Sequence, residues 1–279
     1  MGLVMNILFA GIVTYNPDID ILNINIKSIR GQLETVIIVD NGSKNFEEIE
    51  RLAGEHNIQI ISNQKNFGIA AALNQLMEYG RTKGFSWMLS LDQDSVCQHD
   101  YCIKISELFD ILPNVGIVAP VISDRNVGII GHNPQGNYGV VNTCITSGAC
   151  IKVSVWDSVG RYDEKMFIDS VDFEFCYRVR KEGYLVIQTR KVVLEHSLGE
   201  GRIIGIGCLK RKINEHPALR CFYIAQNRIY YPRKHKLYLY VIRGNLRNAK
   251  HILQVVLFEK DKWNKINSIL KGWKKGYRI

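Results

Sequence analysis

The chain has 279 residues, 46% of them hydrophobic and 23% charged, which excludes a disordered chain and allows one sizeable core or two modest ones. Its net charge of +9 is polarised: residues 201–279 hold 19 Lys and Arg against 3 Asp and Glu, whereas residues 1–200 hold 17 against 24. No stretch reaches 18 apolar residues, so no membrane-spanning helix is expected, and seven cysteines without a CxxC pair or zinc-like Cys/His spacing predict reduced, buried thiols and a cytoplasmic setting.

The opening MGLVMNILFAGIVTYNP lacks a basic n-region and a small-residue cleavage site, and its β-branched character reads as a buried strand rather than a signal peptide. Apolar runs rich in Ile and Val then recur, at 6–15, 35–39, 58–62, 87–91 and 115–122, with helical patterns at 18–32, 45–55, 69–83 and 99–112 between them. Continuous apolar strands alternating with helices predict an α/β fold with a mostly parallel central sheet covered on both faces. From about residue 140 the pattern changes: a helix-like stretch at 169–182 and a strand-like one at 184–194 follow. Beyond Pro217 the chain reads as basic, amphipathic helix to its end.

Ligands of such sheets bind beyond the carboxyl ends of the strands. That points to Thr14-Tyr15-Asn16, Asp40-Asn41-Gly42-Ser43, residues 63–68 and Asp92-Gln93-Asp94. The Asn41-Gly42-Ser43 sequon reads as a turn. In WMLSLDQDS an apolar strand stops on two carboxylates, Asp92 and Asp94. Side chains two apart in extended chain point the same way, so both can converge on one cation or on a cation and a ribose. A few oxygen ligands suit Mg2+ or Mn2+ completed by substrate phosphates; a plain turn and helix cap has the same spelling. No GxxxxGK[ST] loop and no GxGxxG fingerprint is present, so a diphosphate would be held by a metal and by Arg or Lys. A second acidic group, FIDSVDFEFCYR, places Asp169, Asp172 and Glu174 before Arg178. It is either a general base on a helix or a first turn enriched in acids to complement the helix dipole.

Six ordered motifs, GIVTYNP, VIIVDNGS, NQKNFGIAAALNQ, WMLSLDQDS, SGACIKVSVWDSVGRYDEKMFIDSVDFEFCYRVRKEGY and HPALRCFYIAQNRIYY, resemble those of the inverting glycosyltransferase family 2 over roughly residues 5–235. The DQDS, YNP and NFGIA spellings look most like the bacterial dTDP-rhamnosyltransferases of cell-surface polysaccharide and O-antigen synthesis. The resemblance implies a GT-A fold over 1–215, with a nucleotide-sugar half (about 1–123) and an acceptor half (about 124–215), followed by a basic helical region over 216–279.

It also implies the site. Thr14, Tyr15, Asp40, Asn66 and Gly68 would line the nucleotide pocket, which extends along 66–74, with Asp40 on the base or ribose. Asp92 would lie near the ribose, Asp94 would coordinate Mg2+ or Mn2+ on the donor diphosphate, and His196 would lie near both metal and diphosphate. Arg202 sits in a Gly-rich stretch, 199–207, that would close over the donor. Aligned on Arg178, Asp172 takes the place of the general base, although the Glu that usually precedes it is Val171 here; Asp169 and Glu174 stay open as partners in that role. Arg220, Tyr223, Asn227 and Arg228 resemble a motif near the acceptor or diphosphate.

The reaction the resemblance implies moves L-rhamnose from dTDP-β-L-rhamnose to a hydroxyl of a growing, lipid-linked surface polysaccharide. The alternatives are a UDP-sugar donor such as UDP-galactose, UDP-GlcNAc or UDP-galactofuranose, and a non-catalytic nucleotide-binding module. Residues 236–279 interleave Tyr238, Tyr240, Trp263, Trp273 and Tyr277 with Lys and Arg, which predicts contact with an anionic membrane surface at the inner face of the cell membrane. No nucleic-acid motif accompanies the charge.

Overall fold

A computed structural model of the chain describes residues 7–124, 128–195, 202–204, 211–213 and 215–279, with backbone alone for 124, 130, 202–204 and 211–213. The chain forms two compact units, Met1–Glu164 with Asp172–Ser197, and Lys165–Val171 with Leu198–Ile279.

The first unit begins with the expected alternation: β1 (Leu8–Thr14), α1 (Ile19–Arg30), β2 (Val36–Asp40), α2 (Phe46–Glu55), β3 (Gln59–Ser62), α3 (Ile69–Lys83), β4 (Trp87–Asp92), α4 (Tyr101–Ser106) and β5 (Val115–Asp124). It continues through β6 (Gly128–Ile130), β7 (Tyr138–Val140), β8 (Cys150–Lys152), α5 (Val153–Ser158), α6 (Val171–Lys181) and β9 (Leu185–Glu195). The sheet runs β3-β2-β1-β4-β8-β5-β9-β7, with β6 on β5. β3, β2, β1 and β4 are parallel, as are β5 and β9. Short β8 lies antiparallel between β4 and β5, and β6 and β7 are antiparallel additions. The result is a mixed sheet flanked by helices.

Every residue of β1 and β2 is buried, because helices cover both faces and leave no solvent side for polar residues to occupy. α1 starts where Asp18 accepts from the N–H groups of Asp20 and Ile21, and α3 ends at Gly84 in the left-handed conformation. α4 is shorter than the sequence pattern predicts. After Ser106 the backbone tightens into i→i−3 turns, Leu108 to Ile105 and Ile111 to Leu108, and Pro113 disfavours helix at the residue before it. The six described cysteines are free and buried.

The second unit holds the hairpin β10 (Arg202–Ile204) and β11 (Arg211–Ile213) and three helices, α7 (Ala218–Lys234), α8 (Tyr238–Phe258) and α9 (Lys262–Arg278). Its buried apolar cluster is small, formed by Cys221, Ala225, Val255 and Ile269. Close backbone approach compensates. A Cβ on Gly272 or Gly276 of α9 would stand 2.0 Å from the Phe222 carbonyl oxygen or 2.5 Å from that of Gln226, and one on Gly244 of α8 would stand 2.2 Å from that of Arg228. These contacts are to backbone of α7, which cannot rotate away. Gly272→Ala therefore costs about 2–3 kcal/mol by overpacking, measured as a shift of the urea midpoint. Gly54→Ala, at a helical position with open space around it, leaves stability unchanged or raises it. Among the described residues no helix is long and apolar enough to cross a membrane.

Candidate functional site

Pairing of β1 with β2 and β4 sets Thr14 opposite Asp40 and Val13 opposite Asp92, so three of the strand ends singled out by sequence lie side by side. Thr14 is fully buried and donates its hydroxyl to Asp40 Oδ1 at 3.0 Å. Asp40, 1% exposed, also accepts from the N–H of Gly42 (3.1 Å), the N–H of Ser43 (2.9 Å) and the Ser43 hydroxyl. Four protein donors occupy a carboxylate with room for about four. These four bonds make Asp40 the residue that shapes the 40–43 turn at the end of β2. Gly42 has φ +81°, and a Cβ there would meet Lys65 Cα at 2.6 Å, so the turn packs directly on the 63–68 loop.

That loop is held by a residue read from sequence as a mere turn former. Asn41 is buried; its amide donates to Asn66 Oδ1 (3.0 Å) and to the Gly68 carbonyl (3.1 Å), while its Oδ1 accepts from the Phe67 N–H (3.1 Å) and from Asn63 (3.2 Å). Asn63 exchanges two further hydrogen bonds with Gln75. Asn66 Oδ1 also accepts from the Gly68 N–H at 2.8 Å, and Gly68, at φ 90°, starts α3. Asn74, expected to line the same pocket, is buried elsewhere. It bonds Trp156, both backbone groups of Tyr162, and Glu164, so it belongs to the scaffold.

Tyr15 is exposed, and its N–H donates to Gln93 Oε1 at 2.8 Å. Gln93, the residue between the two aspartates, thereby ties the end of β4 to the end of β1. Asn16 (φ 48°) links to Ser43 and Lys44, which closes the 14–16 and 40–44 segments on each other. Asp92 is half-buried; its carbonyl accepts from Asn25 (2.7 Å) and from the Ser95 N–H (3.1 Å), which fixes the turn. Ser95 is buried and shares a 2.7 Å hydrogen bond with Ser147, so it is a structural residue of the turn. Asp94 is exposed, and among the described residues no Lys or Arg pairs with it. Nor do the described residues contain a group of three His, Cys, Asp or Glu placed for a metal ion. His196 lies outside the described residues, as do 199–201 and 205–207. Arg202 is described in backbone only, as the first residue of β10.

The second acidic group separates into three roles. Glu174 is fully buried and forms a forked pair with Arg178, Nε to Oε1 at 2.9 Å and Nη2 to Oε2 at 2.8 Å; Arg178 also donates to the carbonyls of Val159 and Arg161. Such a pair is held strongly because removing one partner leaves a buried charge. Asp169 meets Arg220 through two contacts, 3.1 and 3.2 Å. Asp172 stands in the first turn of α6, half-buried, with Oδ1 accepting from the Phe173 N–H (2.8 Å), and it borders a small cleft with Cys144, Thr146 and Tyr162. Beneath it, Cys144 and Cys176 are 3.7 Å apart, and their mutual hydrogen bond together with burial pushes the Cys144 thiol well above its usual value, so Cys144 is not poised as a nucleophile.

In the second unit, α7 grips the 165–170 loop. Asn227, buried, donates to the carbonyls of Met166, Ile168 and Asp169 at 2.8–2.9 Å; Gln226 donates to that of Lys165, and Tyr223 stacks on Phe167 at 4.4 Å. Three non-glycine residues of this loop, Phe167, Asp169 and Ser170, sit in the left-handed region, a conformation that needs such support. Burial and the neighbouring Arg247 hold the Arg228 guanidinium below its ordinary value.

The glycosyl transferase family 2 profile matches residues 10–143. The chain is 31% identical over 273 residues to the dTDP-rhamnosyl transferase RfbF of Shigella flexneri, spanning 91% of this chain and 90% of that protein. It is 24% identical over 212 residues to a low-salt glycan biosynthesis hexosyltransferase of Haloferax volcanii, spanning 67% and 66%. Among solved structures, the mannosyltransferase PcManGT from Pyrobaculum calidifontis in complex with GDP-Man and Mn2+ aligns with TM-score 0.61 at 13% identity, over 97% of this chain and 86% of that one. GalNAc-T7 with UDP, GalNAc and Mn2+ aligns with TM-score 0.63 at 12% identity, over 98% and 56%. These two likenesses establish the GT-A fold.

Proposed function

The chain belongs to glycosyl transferase family 2, and from that premise we propose that it transfers L-rhamnose from dTDP-β-L-rhamnose, with inversion, to a hydroxyl of a growing lipid-linked surface polysaccharide. The observation that carries the donor is the 31% identity, across nine-tenths of both chains, to a dTDP-rhamnosyl transferase. In this reading the nucleotide lies across the ends of β1, β2 and β4, against Thr14, Tyr15 and the 66–68 segment. Asp40 and Asn41 hold those segments in place, and Gln93 keeps the aspartate turn in register with Tyr15.

Asp94 fits a hard divalent ion: an exposed carboxylate, unclaimed by any described Lys or Arg, at the end of a parallel strand. We assign Mg2+ or Mn2+ to Asp94, with His196 as second ligand and Asp92 toward the ribose. Such an ion, when bound, neutralises negative charge growing on the departing diphosphate. Asp172 takes the proton of the acceptor hydroxyl, whose oxygen attacks the anomeric carbon from the face opposite the diphosphate. One bond forms as the other breaks, so the anomeric centre inverts. The basic C-terminal region rests on anionic lipid and brings the enzyme to its acceptor.

The test is a panel of nucleotide-sugars, with and without Mg2+ or Mn2+, read by thermal shift and donor hydrolysis. dTDP-rhamnose should give the largest shift and the fastest metal-dependent hydrolysis. A UDP-sugar that exceeds it in both readouts overturns the donor assignment.

A further inference from the structure

α8 carries a buried stripe and an exposed apolar stripe on roughly opposite sides of a helix of 3.6 residues per turn. Gly244, Asn248, His251 and Val255 are buried within the second unit. Leu239, Ile242, Leu246, Leu253, Val256 and Leu257 are exposed, Leu239 at 72% and Leu246 at 67%. Arg243, Arg247 and Lys250, also exposed and spaced four and three apart, form a row along one flank of the exposed stripe. Residues 216–258 contain no Asp or Glu. Exposed aromatic residues stand at both ends, Tyr238 and Tyr240 on either side of Leu239 at the start of the stripe and Phe258 and Trp263 (85% exposed) after it.

We propose that the exposed face of α8 is an insertion surface for an anionic lipid bilayer, with the helix lying in the plane of the headgroups, its leucines toward the acyl boundary and its basic row on the phosphates. This rests on the membrane contact proposed above and assigns it to one helix face. Charge complementarity selects the occupant. A second copy of the chain would pair the leucine stripes but bring no acid from residues 216–258 to answer either row of cations, whereas anionic headgroups supply the counter-charge. Arg243, Arg247 and Lys250 at mid-helix also disfavour a spanning arrangement. The aromatic ends match the interface, where a ring can be half in water.

Full-length protein is sedimented with vesicles of phosphatidylcholine alone or with 30–40% phosphatidylglycerol, a composition chosen as about that of an anionic inner leaflet. The wild type should bind the anionic vesicles at low salt and not the neutral ones. Leu246→Glu/Leu253→Glu and Arg243→Glu/Lys250→Glu should each weaken binding by about tenfold or more, while donor hydrolysis is unchanged and circular dichroism stays that of wild type. If only the Arg/Lys pair weakens binding, insertion of the leucine face is refuted and the electrostatic membrane contact stands. If the wild type fails to bind at low salt, both fall. If light scattering finds a dimer that Leu246→Glu/Leu253→Glu converts to monomer, with no vesicle binding, the face belongs to a second copy and the proposal is overturned.

Discussion

Asp172→Asn lowers kcat for sugar transfer by about a thousandfold, the range expected for loss of a general base, with little change in donor affinity. The substitution isolates chemistry from folding. Asn keeps the shape of the side chain and an oxygen able to accept from the Phe173 N–H, so the first turn of α6 retains its bond. Proton acceptance is lost. The neighbouring acids provide controls with different expected failures. Glu174→Gln weakens the pair that fully buried Glu174 forms with Arg178 and should lower the melting temperature before it lowers kcat. Asp169→Asn keeps one acceptor for the half-exposed Arg220 and should cost little in either measure. Transfer at wild-type rate by Asp172→Asn, or an equal loss in Asp169→Asn, would remove Asp172 from the mechanism.

The second large effect is expected at Asp94. Asp94→Asn should reduce kcat/KM by on the order of 10²–10³ and weaken Mn2+ binding measured directly, by electron paramagnetic resonance titration with dTDP present. The exposed side chain makes no structural bond among those described, so the melting temperature without metal should be unchanged. Raising Mn2+ should recover part of the lost rate, because a weakened ligand shifts affinity before it abolishes chemistry. Unaltered Mn2+ affinity in this variant is the result that would move the ion elsewhere.

Much of the scaffold is legible in the sequence because fully covered parallel strands must be apolar throughout, which makes β1, β2 and β4 stand out, and the residues that follow them are then the ligand-facing ends. β6, β7 and β8 are three residues each, too short for a period to register, and the antiparallel pairing of β7 and β8 is set by partners far along the chain. The organising amides are hidden for a different reason. Asn41, Gln93 and Asn227 act through backbone carbonyls and N–H groups brought to them by the fold, and a lone amide carries no pattern of its own. One signal was present for Gln93: it lies between two carboxylates at a strand end, where a side chain reaching sideways has a neighbouring strand to meet. The acids divide similarly, since Asp40, Glu174 and Asp172 have the same chemistry and differ only in which donors surround them.

The closed ring of donors around Asp40 bears on how loss of function is interpreted in this enzyme. In an alanine scan scored by activity alone, Asp40 would rank beside Asp172, since its removal leaves Thr14 and the two N–H groups of the 42–43 turn without their acceptor and lets the proposed donor platform come apart. A collapse of that kind spreads to every nucleotide, matched or not, whereas a missing base spares donor affinity. Nucleotide affinity, rather than turnover, is therefore the quantity that sorts the carboxylates of this sequence into those that react and those that hold the stage.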